Sequence, residues 1–314
     1  MKTLRSAVGR IRAGTAGLNY RNLELLQPLN PAAWCRVADH KRRTKEALAR
    51  AGIPVVPTLA SARSRRDLPR LSEEIDRRCS FVLKPAVGSG GEGVLLVTGR
   101  EGGRFLGAGG KSFSASDLRV RALDILGGAF SAHGIPGEAL LEPLLRNPPA
   151  LAAFSPGGLA DVRVLLYRGF PVLAMLRLPT SRSRGRANLH AGGVAVALDL
   201  PSGRTRRGWS LGRPTDRHPD TGVALSGYLL PKWSELLELA TRSHDALPLG
   251  FAAVDLVLDE EERAVVLEVN ARPGLSVQLA TRQGLVELLR RFAPLVREGL
   301  SWRERLETSL SFLS

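Results

Sequence analysis

Apolar positions along the chain fall into segments whose period changes between helix-like and strand-like spacing. "VADHKRRTKEALARAG" (37–52) carries apolar residues at helical intervals and ends on a glycine two residues before Pro54, the usual marks of a helix stop. "IPVVPTLA" reads as short and extended, and "RRDLPRLSEEIDRR" as polar and partly helical. Residues 81–85 and 94–97 have the β-branched and apolar content of strands. "ASDLRVRALDILGGAF" has helical spacing, with Ser114 or Ser116 as a cap. "EALLEPLL" (138–145) is a short apolar strand. "RNPPALAAFSPGG" then interrupts the pattern and is the best candidate boundary. Beyond it the chain becomes strand-rich: "DVRVLLYRG", "PVLAMLRL" and "GGVAVALDL". Residues 201–228 read as irregular, "KWSELLELATRSHDAL" as a helix, and "FAAVDLVLD" with "AVVLEVN" as a hairpin across "DEEER". A last helix covers most of 278–297. Helices and strands mix without strict βαβ alternation, so the fold class is α+β.

Composition adds one departure from the ordinary. The 314 residues are 44% hydrophobic and 24% charged, as expected of a globular chain able to bury a core, but the formal net charge is +15. Only six of the 45 basic residues are lysine. Guanidinium groups fit carboxylates and phosphates in bidentate fashion, so an anionic ligand or acidic partner is one reading and arginine-biased codon usage the other. Cys35 and Cys79 make neither a disulfide framework nor a metal-ligand spacing, which points to a reducing, cytoplasmic setting. No apolar run reaches bilayer length. The basic N-terminus lacks a signal-peptide core; it reads as a solvated arm or a weak peripheral membrane contact. Basic residues are scattered rather than interleaved with aromatics, so no nucleic-acid partner is expected.

Two stretches carry chemistry. In "FVLKPAVGSGGEGVLLV" the glycines 88–93 fit G-x-G-x-x-G, but "VLLV" follows where a dinucleotide-binding fold needs a helix. No Gly-Lys-Ser/Thr follows, and the companion motifs of protein kinases are missing. The glycines therefore close a β-hairpin. Lys84 precedes them, placed to reach over the loop, and the backbone N–H groups of Ser89, Gly90, Gly91 and Gly93 can converge on phosphate oxygens. A mobile hairpin with an exposed lysine is the alternative. In "GFAAVDLVLDEEERAVVLEVNARPG", Glu268 and Asn270 share one strand face. A turn centred between Glu261 and Glu262 sets Asp255 opposite Glu268. Three oxygen ligands on one apolar face suit Mg²⁺, or Mn²⁺, completed by substrate phosphates; pairing with local arginines such as Arg272 is the alternative.

Together these stretches resemble the ATP-grasp superfamily, and within it the alpha-L-glutamate-ligase-like proteins, relatives of the enzyme that adds glutamate to a ribosomal protein. The matching segments, from "DHKRRTKEALARAGIPV" through "FVLKPAVGSGGEGV", "LLEPLL", "DVRVLLYRG" and "AMLRLPTSRSRGRANLHAGG" to "LEVNARPG", follow in the family's order. The resemblance implies a short N-terminal segment with an opening helix (1–60), a small lobe with a glycine-rich lid (61–146) and a large lobe with the metal hairpin (147–314), with ATP between the lobes. It implies ADP-forming carbon–nitrogen ligation: a carboxylate is phosphorylated and an amine attacks the acyl phosphate. By position, Lys41 and Lys84 contact phosphates, Glu142 and the backbone at Leu144 hold adenosine, and Asp255, Glu268 and Asn270 hold Mg²⁺. Arg177, Asn188 and Arg272, with Lys84, form the catalytic set. Residues 1–40 are fewer than the domain that precedes the first lysine in the ribosomal-protein ligase, and that domain helps shape the acceptor site.

The substrate class expected is an anionic small molecule or acidic peptide, with glutamate or another acidic amino acid joined to it. A nucleotide-binding regulatory protein without turnover and an ATP-grasp phosphotransferase are the competing functions. Arg163 is a candidate charge partner in the cleft, Asp161 a candidate strand cap, His190 a site candidate, and His218 a hydrogen-bonding core or surface residue.

Overall fold

The computed structural model describes residues 14–88, 90–131, 134–155 and 157–314. It builds two antiparallel sheets. The smaller has six strands in the order β1-β6-β2-β3-β4-β5: Ala60–Ala62, Ala139–Glu142, Phe81–Pro85, Leu95–Glu101, Arg104–Gly107 and Ser112–Phe113. Helices α3 (Leu68–Asp76) and α4 (Ala115–Leu126) bury Leu71, Ile75, Leu118 and Ile125 against Phe81, Leu83 and Phe105. Ser114 caps α4, accepting from the Asp117 N–H while Asp117 accepts from the Ser114 N–H, a reciprocal capping box.

The larger sheet has seven strands in the order β11-β10-β9-β8-β7-β12-β13. Its middle is β9 (Val194–Leu198), β8 (Phe170–Leu178), β7 (Asp161–Tyr167) and β12 (Phe251–Leu258), and β13 (Ala264–Asn270) forms one edge. The central strands are apolar on both faces, because both are covered. On one side α5 (Trp233–Ala246) buries Leu236, Leu237 and Ala240. On the other lie α6 (Ser276–Thr281) and α7 (Leu285–Phe292) with Val277, Leu285 and Phe292. A C-terminal helix α8 (Trp302–Leu313) packs beside α5.

Four local expectations are corrected. The helix expected over 37–52 is two, α1 (Ala32–Ala38) and α2 (Lys41–Arg50). His40 between them is extended and bridges to Val87, and the Lys41 N–H donates to the Ala86 carbonyl, so the chain leaves its helix to dock on the small sheet. The strand expected at 94–97 runs on to Glu101, turning only at Gly102 and Gly103, where φ is positive. Residues 201–228 are not irregular throughout: β10 (Thr205–Ser210) and β11 (Arg213–Thr215) extend the large sheet's edge. The helix expected over 278–297 is broken between α6 and α7 at Arg282 and Gly284, where any side chain on Gly284 would strike the Gly14 carbonyl.

Candidate active site

α2 spans the two sheets. Ala47 and Leu48 join the large core, while Lys41 and Lys45, one turn apart on the same side, point to the small sheet. The Lys41 ammonium donates to the Gly88 carbonyl at 2.9 Å, at the mouth of the glycine loop. Lys45 donates to one oxygen of Glu142, and Lys84 pairs with the other at 2.6 Å. Glu142 is 2% exposed and Lys84 7%. Burial pushes the Lys45 ammonium down to about 8, against the pull of Glu142 and helped by the charge of Lys84. Burial also lowers Lys41, opposed first by Glu268 on the large sheet. Lys41, bonded to the glycine loop, thus also feels the charge of the carboxylate hairpin.

The glycine loop closes the antiparallel hairpin β2–β3, as its sequence implied. Gly90, Gly91 and Gly93 all have positive φ. A side chain at Gly93 would start 2.7 Å from the Phe130 ring, so this position needs glycine. Opposite Gly91 stands Arg186 of the large lobe, whose Cδ would lie 3.4 Å from an added Cβ. Ser89 lies outside the described residues. Leu144 follows β6, half-buried, in the connection between the sheets.

On the large sheet the register sets Asp255 against Glu268 and Ala253 against Asn270. A bulge delivers it: Leu256 faces Val266, so Leu267 is the extra residue. Asp255 is fully buried and receives four hydrogen bonds. Arg163 grips both its oxygens, at 2.7 and 2.6 Å, and Arg177 and Asn270 add bonds of 2.8 and 3.0 Å to Oδ2. Burial would raise its carboxyl, but Arg163 and Arg177 hold it well below the usual carboxylate range. Arg177 also pairs with Asp161, and burial pushes that carboxyl up to about 7 despite the guanidinium. Arg177, set between two carboxylates, is raised above the ordinary arginine value despite its burial. Asp161 is thus an ion-pair partner as well as the first residue of its strand. Glu268 accepts from the Asn270 amide at 3.1 Å and lies against Asp255.

The metal alternative drawn from sequence is half realised: Asp255 does pair with arginines, but with Arg163 and Arg177. Arg272 pairs with Asp39 at 2.6 Å instead. Among the described residues no three acidic, histidine or cysteine side chains form a metal cage. The donor set nevertheless fits a hard cation. Among the described residues, the Asn270 amide oxygen accepts no hydrogen bond, Asp255 Oδ1 accepts one, and Glu268 accepts one from Asn270, so oxygen lone pairs remain for a cation.

The segment "SRSRGRANLH" forms a rim. Thr180 and Ser183 bond each other, Ser181 bonds Asp220, and buried His218 ties both ends of that region by donating to the Pro179 carbonyl and accepting from the Asp220 N–H. Asn188 caps a short turn by accepting from the His190 N–H, and His190 is exposed. Lys45 was missed in the sequence reading, although its i+4 spacing from Lys41 was a usable signal.

A cleft between two antiparallel sheets, with lysines and a glycine hairpin on one wall and a carboxylate hairpin on the other, defines an ATP-grasp protein. The chain belongs to the sugar-transfer associated ATP-grasp family, whose model matches residues 20–293. No curated protein matches it in sequence. Among solved structures, the biotin carboxylase of Campylobacter jejuni is 15% identical with a TM-score of 0.55, over 92% of this chain and 55% of that one. The D-alanine-D-alanine ligase of Coxiella burnetii is 14% identical with a TM-score of 0.48, over 90% and 60% of the two chains. The ATP-grasp ligase PsnB with its minimal precursor is 14% identical with a TM-score of 0.45, over 85% and 64%. The chain thus spans less than two thirds of each of these structures. The first similarity shows the same fold.

Proposed function

We propose that the protein is an ATP- and Mg²⁺-dependent carboxylate–amine ligase acting through an acyl phosphate. The observation that carries this reading is the lysine cluster. Two ammonium groups, Lys45 and Lys84, share one carboxylate, Glu142, and a third, Lys41, stands beside them on the Gly88 carbonyl, in a largely buried space beside a glycine turn. Surplus buried positive charge is costly unless an anion compensates it. A polyphosphate supplies that anion, with the glycine-loop N–H groups as further donors. With its carboxylate held by lysines, Glu142 acts on the nucleotide by fixing Lys45 and Lys84, while the backbone near Leu144 is left for the adenine.

Glu268 and Asn270, with Asp255 as third contributor, would hold Mg²⁺, which neutralises phosphate charge when bound. The protein's own groups do the rest. Lys84 and Lys41 hold the phosphates, and Arg177, fixed by Asp161 and Asp255, faces the charge that develops on the transferred group. A substrate carboxylate oxygen attacks the γ-phosphorus and the β–γ bridging bond breaks, releasing ADP. The amine nitrogen then bonds to the acyl carbon, phosphate leaves, and the nitrogen loses a proton. Exposed Arg182, Arg184 and Arg186 on the rim favour an anionic partner. The resemblance to glutamate ligases suggests an acidic amino acid as amine donor, and the family's description as sugar-transfer associated is the reason to include sugar acids among the acceptors tried.

The test is ADP release, coupled to mass-shift analysis, over a panel of acidic amino acids, acidic peptides and sugar acids with Mg²⁺. A condensation product one water lighter than the sum of its parts, formed with stoichiometric ADP, is expected. A phosphorylated product with no condensation would replace the ligase by a phosphotransferase.

A further inference from the structure

The small sheet has two faces. Leu83, Ala139 and Leu141 belong to the core under α3 and α4. Strand alternation turns Lys84, Glu138, Leu140 and Glu142 to the opposite face. There β6 meets α2 at two carboxylates. Glu142 takes Lys45 directly. Glu138, just before β6, takes Arg42 instead: the Arg42 Nε–H donates to both its oxygens, at 2.9 and 3.1 Å. Glu138 is 5% exposed and bonds none of the lysines. Arg63, one residue beyond β1, adds a longer bond of 3.4 Å. His40 Nε2 stands 3.5 Å from the other oxygen, and burial holds that imidazole below the ordinary histidine value. The lasting positive partners of this buried carboxylate are therefore the two arginines, and Arg42 is the closer.

The backbone of the same residue reaches the glycine loop. The Glu138 carbonyl accepts from the Ala86 N–H at 2.8 Å, and the Ala86 carbonyl accepts from the Lys41 N–H at 2.8 Å. Val87 bridges to His40, and the Gly88 carbonyl accepts from the Lys41 ammonium. The main chain of Glu138 thus holds the strand that enters the loop. Its side chain holds the first turn of the helix that carries Lys41 and Lys45. Arg42 is the neighbour of Lys41 and three residues before Lys45.

We propose that Glu138 is a positioning residue: through Arg42 it fixes the start of α2, and so sets Lys41 and Lys45 beside the glycine loop. A lysine ammonium is a point charge on a flexible stem, so its aim depends on how firmly its backbone is held. Glu142 orders the cluster by touching the lysines, whereas Glu138 acts one residue removed. Its consequence for the nucleotide rests on the reading of these lysines as phosphate ligands.

Acetylation of individual lysines in the ligand-free full chain, followed by peptide mass spectrometry, tests the geometry without reference to ATP. Loss of a charge-assisted hydrogen bond in Glu138→Ala is expected to speed modification of Lys41 and Lys45 about tenfold relative to exposed Lys111. Lys84, on the inner strand β2, should keep its wild-type rate. Glu138→Gln, which keeps an acceptor and loses the charge, should fall between, and it carries the same comparison if Glu138→Ala does not fold. Arg42→Ala should match Glu138→Ala, and the double variant should be no worse than either, because one contact is removed in all three. Arg63→Ala, which loses only the long bond, should change little. Equal acceleration at Lys41, Lys45 and Lys84 would mark a loosened lobe and overturn the proposal. Unchanged rates, or additive effects of the Arg42 and Glu138 replacements, would overturn it too. ATP affinity, titrated on the same proteins, should fall in parallel with the lysine rates. Faster modification with ATP binding unaltered would uphold the positioning and remove these lysines from the nucleotide site.

Discussion

The two walls of the cleft are charged in opposite senses. On the α2 and hairpin side, Lys45 and Lys84 face one glutamate, and Lys41 adds a third ammonium group at the Gly88 carbonyl. On the large-sheet side, Arg163 and Arg177 face Asp161, Asp255 and Glu268, two cations to three carboxylates. The first wall has a positive surplus and needs an anion; on the second the two arginines are engaged by Asp255 and by Asp161, whose carboxyl burial raises to about 7, so Glu268 is the carboxylate left for a cation. They also differ in rigidity. The arginine–carboxylate wall rests on the middle strands of a sheet covered on both faces, with each guanidinium locked by two or more bonds. The lysine wall draws on helix α2 and on strands β2 and β6 of the small sheet, and each of its ammonium groups makes a single bond as a point charge. A polyphosphate carrying Mg²⁺ would answer both deficits at once, the lysines gathering around phosphates presented to a fixed metal and arginine frame.

The largest effect that would break this contrast concerns stability. Asp255→Ala leaves two buried guanidiniums without their shared partner, and should cost about 3–5 kcal/mol in urea unfolding. Glu268→Ala, which loses the bond from Asn270 and a charge attraction to Lys41 but leaves both guanidiniums paired, should change stability far less. Equal losses at the two positions would erase the division between frame and ligand.

The lysine wall should respond in turnover rather than in fold. Lys84→Ala removes one preorganised charge contact and should lower the rate of ATP turnover about 10²–10³-fold. Lys111→Ala, on an exposed turn between β4 and β5, serves as the control and should lose little. Matching effects at Lys84 and Lys111 would detach the hairpin from the site.

The next contrast is in pH. Lys45 loses its proton at about 8 in the ligand-free protein, below the ordinary lysine value. A polyphosphate favours the ammonium form, so ATP affinity should fall as pH rises through about 8, by at most about tenfold per unit. Lys45→Arg should flatten that slope in calorimetric titrations. The same displacement gives Lys45 a signed share in stability. Between about 8 and 10.5 the folded chain holds fewer protons than the unfolded one, so this group's contribution rises with pH in that window.

The smallest effect is at the rim. Arg182, Arg184 and Arg186 are exposed, so their attraction is screened as the Debye length falls from ~10 Å at 0.1 M salt to ~3 Å at 1 M. A triple alanine variant should raise the KM for the anionic substrate a few-fold and flatten its salt dependence, with less effect on ATP. An unchanged KM would make these arginines a matter of composition.

How much of this the sequence disclosed depended on whether local signal and tertiary role agreed. The strand at 81–85, the glycine hairpin and the Ser114 cap were legible, because strand period and local capping fix them; the facing of Asp255 and Glu268 was expected from a turn centred between Glu261 and Glu262, whereas the inner pairs centre on Glu261 and the bulge produces the facing. The bulge at Leu267 was not legible, since the turn alone predicts a register one residue away from the one that continues along the hairpin. β10 escaped because "TRRGWS" is polar; it forms near the sheet edge, pairing with β9 and β11, and needs little apolar content. α8 escaped because its contacts are with α5 and the distant β8. Asp161 read as a strand cap because its partner, Arg177, lies 16 residues on and meets it only when β7 and β8 pair. The break at His40 depends on Ala86 and Val87 of the small sheet, which no window on the helix contains.

The central claim is that the two walls act as the anion half and the cation half of one nucleotide site. Binding of ATP to the wild type, Lys84→Ala and Glu268→Ala, each with and without Mg²⁺, tests it most directly. Lys84→Ala should weaken binding under both conditions, whereas Glu268→Ala should remove the gain that Mg²⁺ gives and leave metal-free binding no weaker than in the wild type. Retention of the full Mg²⁺ gain in Glu268→Ala, or unaltered binding in Lys84→Ala, would contradict it.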